Sequence, residues 1–227
     1  MFHSPFKTCL VNVCALSCAV VAYAEPEKFV PLFNGMDLTG WEQHSGKAEY
    51  RVEEGAIVGK TVANTGNSFL CTKEAYGDFI LEFEFKVASG MNSGVQFRSE
   101  FFNADTELNL DGKPKKIPAD RVFGYQYEID PSARSYTGGV YDEARRGWLF
   151  DLKENEAARK AFKQGDWNLA RIECRGEHIQ TFINGVKAAD LKDSMTSKGI
   201  IGLQVHGIGK KEPGEEVRWR HIRIQKL

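Results

Sequence analysis

The chain has 227 residues, with 30 Lys and Arg against 31 Asp and Glu and a formal net charge of −1. So even a balance argues against binding driven by phosphate backbones, which wants a strong basic excess. No phosphate-cradling glycine loop of the Walker type occurs, and GNSFLC (66–71) and GMNSG (90–94) read as turns.

The N-terminus carries a leader pattern. Lys7 precedes the apolar run CLVNVCALSCAVVAYA, which ends in the small-x-small triplet Ala22-Tyr23-Ala24. A basic start, an apolar middle and an Ala-x-Ala end predict a secretory signal peptide cleaved after Ala24. The run is too short for a membrane span. Lipid attachment at Cys18 is the lesser alternative, because ALSC has Ala where a lipid box usually has Leu. The expected mature chain, Glu25 to Leu227, is exported, secreted or periplasmic, and long enough for one domain with a substantial core. Three of the five cysteines leave with the leader. Cys71 and Cys174 remain, and their strand-like surroundings allow either a disulfide or two buried thiols.

Beyond the leader the period is two. In DFILEFEFKV (78–87), Phe79, Leu81, Phe83, Phe85 and Val87 face one way and Glu82, Glu84 and Lys86 the other. Similar strands are predicted over 93–101, 123–130, 167–175, 178–185, 199–207 and 216–227. Turn pairs at Asn34-Gly35, Glu54-Gly55, Ser89-Gly90 and Asn184-Gly185 punctuate them. The Asn-Gly at 184–185 predicts a two-residue hairpin turn. A long loop is expected over 103–120, and the only helix over 153–165, ended by Gly165. Many strands, one small helix and no βαβ rhythm predict an all-β sandwich of two antiparallel sheets.

Seven phrases occur together in order: PLFNGMDLTGWE, NSGVQFRSE, GYQYEIDP, TGGVYDEARRGWLF, WNLARIECRGEHIQTFING, GIIGLQVHG and VRWRHIRIQKL. Jointly they resemble the 3-keto-disaccharide hydrolase family over about Phe29 to Leu227. The resemblance implies a concanavalin- or glucanase-like jelly roll with a concave face, and a carbohydrate ligand oxidised at C3. Many members of that family carry Glu at the position of Gln126 and Gln at that of Glu128, so this chain exchanges the two. The stretch from Asp142 to Phe162 resembles an elaboration found in a subset of members.

The strand GYQYEID places Tyr125, Tyr127 and Ile129 on one face and Gln126, Glu128 and Asp130 on the other. Glu128 and Asp130 are then about 6–7 Å apart at Cα, within reach of the separation at which two carboxyls flank a glycosidic bond. On an isolated strand such a face is more simply a wetted sheet surface. The family resemblance moves it into a sugar-binding groove, with Glu128 and Asp130 as acid and base and Gln126 beside them. A C3 carbonyl acidifies the C2 hydrogen, so the chemistry needs a base at C2, a donor for the enolate oxygen and an acid for the leaving alkoxide.

Arg98, sharing a strand face with Gln96 and Glu100, is a candidate enolate binder, or else a structural partner of Glu100 or Glu128. His206, whose strand-mate is Gln204, is a candidate acid/base, against the plainer reading of a hydrogen-bonded surface group. Tyr141, Asp142, Glu143, Arg145, Arg146 and Trp148 supply an aromatic platform with charged neighbours suited to a sugar ring, although Trp148 serves equally well as a loop anchor. Trp41, Trp167 and Trp219 are assigned to packing. No spacing is diagnostic of a metal site, and no cofactor is expected. The expected partner is a carbohydrate: a 3-keto glycoside that the protein cleaves or, alternatively, a sugar that it only binds.

Overall fold

A computed structural model of the chain describes residues 28–110 and 112–227, together with Met1. The expected leader, with Cys18 and the cleavage point after Ala24, lies outside the described residues. In chain order the strands are β1 (Val30–Pro31), β2 (Trp41–Ser45), β3 (Glu49–Glu53), β4 (Ala56–Lys60), β5 (Ser68–Thr72) and β6 (Phe79–Val87). Next come β7 (Ser93–Glu100), β8 (Thr106–Leu110), β9 (Lys113–Ile117), β10 (Phe123–Ile129), β11 (Val140–Glu143) and β12 (Gly147–Phe150). After the helix α1 (Glu156–Ala161) follow β13 (Asn168–Arg175), β14 (His178–Ile183), β15 (Val186–Lys192), β16 (Ile200–Val205) and β17 (Glu216–Lys226).

Two antiparallel sheets stack into a sandwich. One is ordered β15-β14-β13-β6-β17-β4-β3, with β1 added on β17, and the other β12-β11-β10-β7-β16-β5-β2. The alternation read in β6 is what fuses them. Phe79, Leu81, Phe83 and Phe85 are fully buried in one core with Tyr125 and Tyr127 of β10, Phe83 and Phe85 meeting the Tyr127 ring edge to face, and each side chain taken from water contributes about 1.5–3 kcal/mol. The opposite side of β6 carries charge instead. Glu82 accepts from Arg171 at 2.6 Å and from Arg223, and Glu84 from Arg220 at 2.8 Å, so the outer face of the eight-stranded sheet is a mesh of ion pairs.

The hairpin at 184–185 forms as the sequence predicts: Asn184 and Gly185 both have positive φ, and Ile183 pairs with Val186. Of the packing tryptophans, Trp41 and Trp219 are in the core, while Trp167 lies under Arg220, 3.9 Å from its ring centroid. Two expectations differ, and one left open is decided. The span 103–120 is a hairpin, β8 with β9, whose exposed polar and lysine side chains hide its alternation. The helix is shorter than predicted. Asn155 caps it by accepting from Ala158 N, and it stops at Phe162, three residues before Gly165, where the extended chain stacks Phe162 on Phe85. Cys71 and Cys174 lie in different sheets as buried free thiols.

Candidate functional site

The face of the seven-stranded sheet turned away from the core is polar along its middle. Tyr125, Tyr127 and Ile129 of β10 are fully buried inward, so Gln126 and Glu128 must project outward. Register places Gln126 beside Gln96 of β7, and Gly94 of β7 between Glu128 on one side and Gln204 of β16 on the other. The side chains form a directed row. Ser99 Oγ donates to Gln96 Oε1 at 2.8 Å, and Gln96 Nε2 to Gln126 Oε1 at 2.5 Å. Gln126 Nε2 then donates to Glu128 Oε2 at 2.8 Å, while Gln204 Nε2 joins at Gln126 Oε1 from the other side, at 3.0 Å. Asn92 Nδ2 completes the set by donating to Glu128 Oε1 at 2.7 Å.

Gly94 makes this row possible. A Cβ at Gly94 would sit 2.5 Å from the Gln126 side chain, which lies across it. Gly94→Ala is therefore expected to push Gln126 off Glu128. A sugar-binding titration checks this: affinity should fall about tenfold, the loss of one buried hydrogen bond, with the fold retained by circular dichroism.

Above this row is a cavity of about 400 Å³. Its floor is Gln126, Glu128 and Gln204, and its walls include Tyr141, Trp148, His206 and Arg134. The Tyr141 and Trp148 rings meet edge to face at 5.3 Å, and Arg134 lies over Trp148 at 5.4 Å from its centroid. Glu128 is 5 % exposed. Burial raises its pKa to about 7; the bonds from Asn92 and Gln126 and the nearby Arg134 pull the other way, while the charge of Asp130 adds to the rise. Near neutral pH both its protonated and its ionised forms are populated, the condition that suits a general acid or base. His206 Nδ1 bonds the carbonyl of Gly207 at 2.8 Å. Since a carbonyl only accepts, Nδ1 carries a proton, and it is Nε2 whose lone pair a neutral ring would offer to the cavity.

Sequence alternation did not separate the rest. Arg98 does not meet Glu128. At Arg98 the backbone turns to φ +46° and β7 shifts register against both β10 and β16, a bulge that breaks the period. The side chain is fully buried, donating to Gly77 O (2.8 Å), Gly176 O (2.7 Å) and Asp78 Oδ1 (2.7 Å), groups beside strands of the opposite sheet. Glu100 ends β7 exposed, off the cavity.

Asp130 follows the end of β10 and turns into a loop. It accepts from Arg134 Nε at 2.8 Å and from the backbone N–H groups of Ser132 and Tyr136 at 3.1 Å. Burial works to raise its pKa, but those bonds outweigh it and hold the carboxyl below its ordinary value, so Asp130 positions Arg134 and does not line the cavity. Asp142 pairs in register with the inward-facing Tyr125. It binds Arg145 Nε at 2.7 Å and Arg146 Nε at 2.5 Å within the sandwich edge, which removes both Asp142 and Arg145 from the sugar platform.

Asn67 and Arg134 are cavity residues that the sequence does not single out, Glu143 of the expected platform does line the cavity, and Asn92 reads in the sequence first as a turn. Period two finds Glu143, because it shares the outward side of β11 with Tyr141. Arg121 and Asn67 Nδ2 (3.2 Å) both donate to Glu143 Oε1. Arg134 comes from a turn and has no periodic signal. Among the described residues no three His, Cys, Asp or Glu side chains converge as metal ligands.

The fold has solved relatives of low identity. A candidate glycosyl hydrolase of Parabacteroides distasonis is 18 % identical, with TM-score 0.56, covering 88 % of this chain and 94 % of its own. The carbohydrate-binding module CBM66 of Bacillus subtilis is 16 % identical, with TM-score 0.57 and coverage of 83 % and 96 %. A β-1,3-1,4-glucanase derived from a mouse hindgut metagenome is 12 % identical, with TM-score 0.52 and coverage of 89 % and 100 %. No curated protein matches in sequence. The model of the 3-keto-alpha-glucoside-1,2-lyase-like domain matches residues 28–225, nearly all of the described residues, and the chain belongs to that family.

Proposed function

We propose that the protein cleaves the glycosidic bond of 3-keto glycosides by elimination, in an exported setting. The observation that carries this reading is the Glu128 carboxyl, buried in the cavity floor under amide donors and facing Arg134 and His206 on the same cavity's walls. His206 Nε2 takes the proton from C2 of the sugar. The C2–H electron pair forms the C1=C2 bond, and the C1–O pair leaves with the departing oxygen, which takes its proton from Glu128. Arg134 donates to the C3 oxygen as its negative charge grows. Water adding across C1=C2 then completes hydrolysis. Tyr141 and Trp148 pack against the C–H face of the ring.

The roles fix the pH dependence. A Glu128 that must arrive protonated, with a pKa of about 7, makes kcat/KM fall about tenfold per pH unit above neutrality. Rates measured from pH 5 to 9 on a 3-keto disaccharide check this; a rate that rises through pH 7 would reassign Glu128 as the base. The test of the function itself is release of monosaccharide from a 3-keto disaccharide and not from the unoxidised sugar. The likeness to a carbohydrate-binding module favours a second reading, binding alone. It predicts tight binding of both sugars and release of neither.

A further inference from the structure

A second hollow of about 360 Å³ adjoins the first. Asn67 lines both, and Arg121, a wall of the second, reaches into the first to hold Glu143. The second hollow lies between the loop before β5, the end of β2 and the residues that follow the β8–β9 hairpin. Gly66, Pro118 and Ala119 give it a smooth wall, with Lys47 and Arg121 as polar groups on its rim. Its far wall is anchored: Asp120 accepts from Ser45 N at 2.8 Å and bonds His44 Nδ1 at 2.6 Å, which ties the end of the hairpin to β2.

We propose that this hollow is the leaving-group subsite: it holds the ring on the far side of the scissile bond, an uncharged or anionic sugar. This rests on the reading that the oxidised ring occupies the cavity over Glu128. A single ring is enclosed by one hollow, so a disaccharide laid over Glu128 must put its second ring somewhere. Among the described residues Asn67 alone lines both spaces, and it stands where the linkage would pass. Asn67 Oδ1 accepts from Gly207 N at 2.9 Å while Nδ2 holds Glu143, so this junction is fixed from both ends. Pro118 and Ala119 suit the C–H face of a ring, and Lys47 beside them disfavours a cationic leaving group, the charge of Arg121 being answered by Glu143.

Gly66 gives the test. A Cβ placed there meets no atom within 4 Å and its φ is not positive, so a large side chain there is free to enter the hollow without straining the backbone. Binding is measured by calorimetry in the Glu128→Gln protein, where no turnover interferes, for a 3-keto disaccharide and for methyl 3-keto-glucoside. The disaccharide should bind at least about tenfold tighter, and adding Gly66→Phe should erase that gap while methyl glycoside binding stays as it was, which also shows that the variant folds. Equal affinities before Gly66→Phe, or a gap that survives it, overturn the subsite. The assigned cleavage fails differently, as absence of sugar release from the wild-type protein while the affinity gap persists.

Discussion

Glu128→Gln is expected to lower the release of sugar from a 3-keto disaccharide by about 10²–10⁴-fold, the range in which a positioned general acid works. Affinity should change far less, since the amide keeps the shape of the side chain. Coupled detection of the released monosaccharide beside a binding titration separates the two effects, and equal rates in the two proteins would leave binding as the whole function. The same residue leaves a mark on stability. The folded carboxyl keeps its proton up to about pH 7, whereas an ordinary glutamate releases it near 4.5. Between those values the native state binds more protons than the unfolded one. Its stability is therefore full below the lower value, falls as pH rises through the window, and levels off above the upper one, an effect on the order of 3 kcal/mol. Melting curves of wild type and Glu128→Gln across pH 4 to 8 should diverge in slope only there.

Asp142→Ala is expected to act on the fold before it acts on any ligand. Asp142 is fully buried and holds Arg145 and Arg146, and Arg146 continues to Asp193 at 2.8 Å, which in turn bonds the Tyr125 hydroxyl. Removing it strands a buried guanidinium, and breaking a buried pair from one side costs about 3–5 kcal/mol. At about 2–4 °C per kcal/mol for a domain of this size, Tm should drop by roughly 10 °C. Thermal unfolding followed by circular dichroism measures it. A variant with unchanged Tm and weakened sugar binding would instead return Asp142 to the sugar platform.

These two residues show where sequence reading works and where it stops. Gln126, Glu128 and Gln204 were legible because β10 and β16 keep an unbroken period of two, so the inward tyrosines and Leu203 fix which side chains face out. The same rule, applied strictly to β11, puts Tyr141 and Glu143 on the outward side and Asp142 on the other; reading TGGVYDEARRGWLF as one platform blurred that distinction. Arg98 was illegible for a different reason. A single residue at φ +46° turns the side chain to the other face, and nothing in VQFRSE announces it. Asp130 is two residues beyond Glu128 yet past the strand's end, where backbone N–H groups compete for its oxygens. Arg134 and Asn67 reach the cavity from turns, and only the closed fold brings them there.

The row of amides has a sense of travel. From Ser99 onward each group passes its hydrogen forward, and Glu128 stands at the terminus with two donors, whereas position 126 sits at a crossing reached from Gln96 and Gln204 and open to its neighbour at 128. With the two residues exchanged, a carboxylate at that crossing would be met by three N–H groups, from Gln96, Gln204 and an amide at 128, and held as a quiet anion. Two residues further along, at the end of the line and with one donor fewer, it is poorly solvated and ready to surrender or recapture a proton. Sliding the acid by a single step along one face of one strand thus trades a well-solvated charge for a buried carboxyl that holds its proton longer.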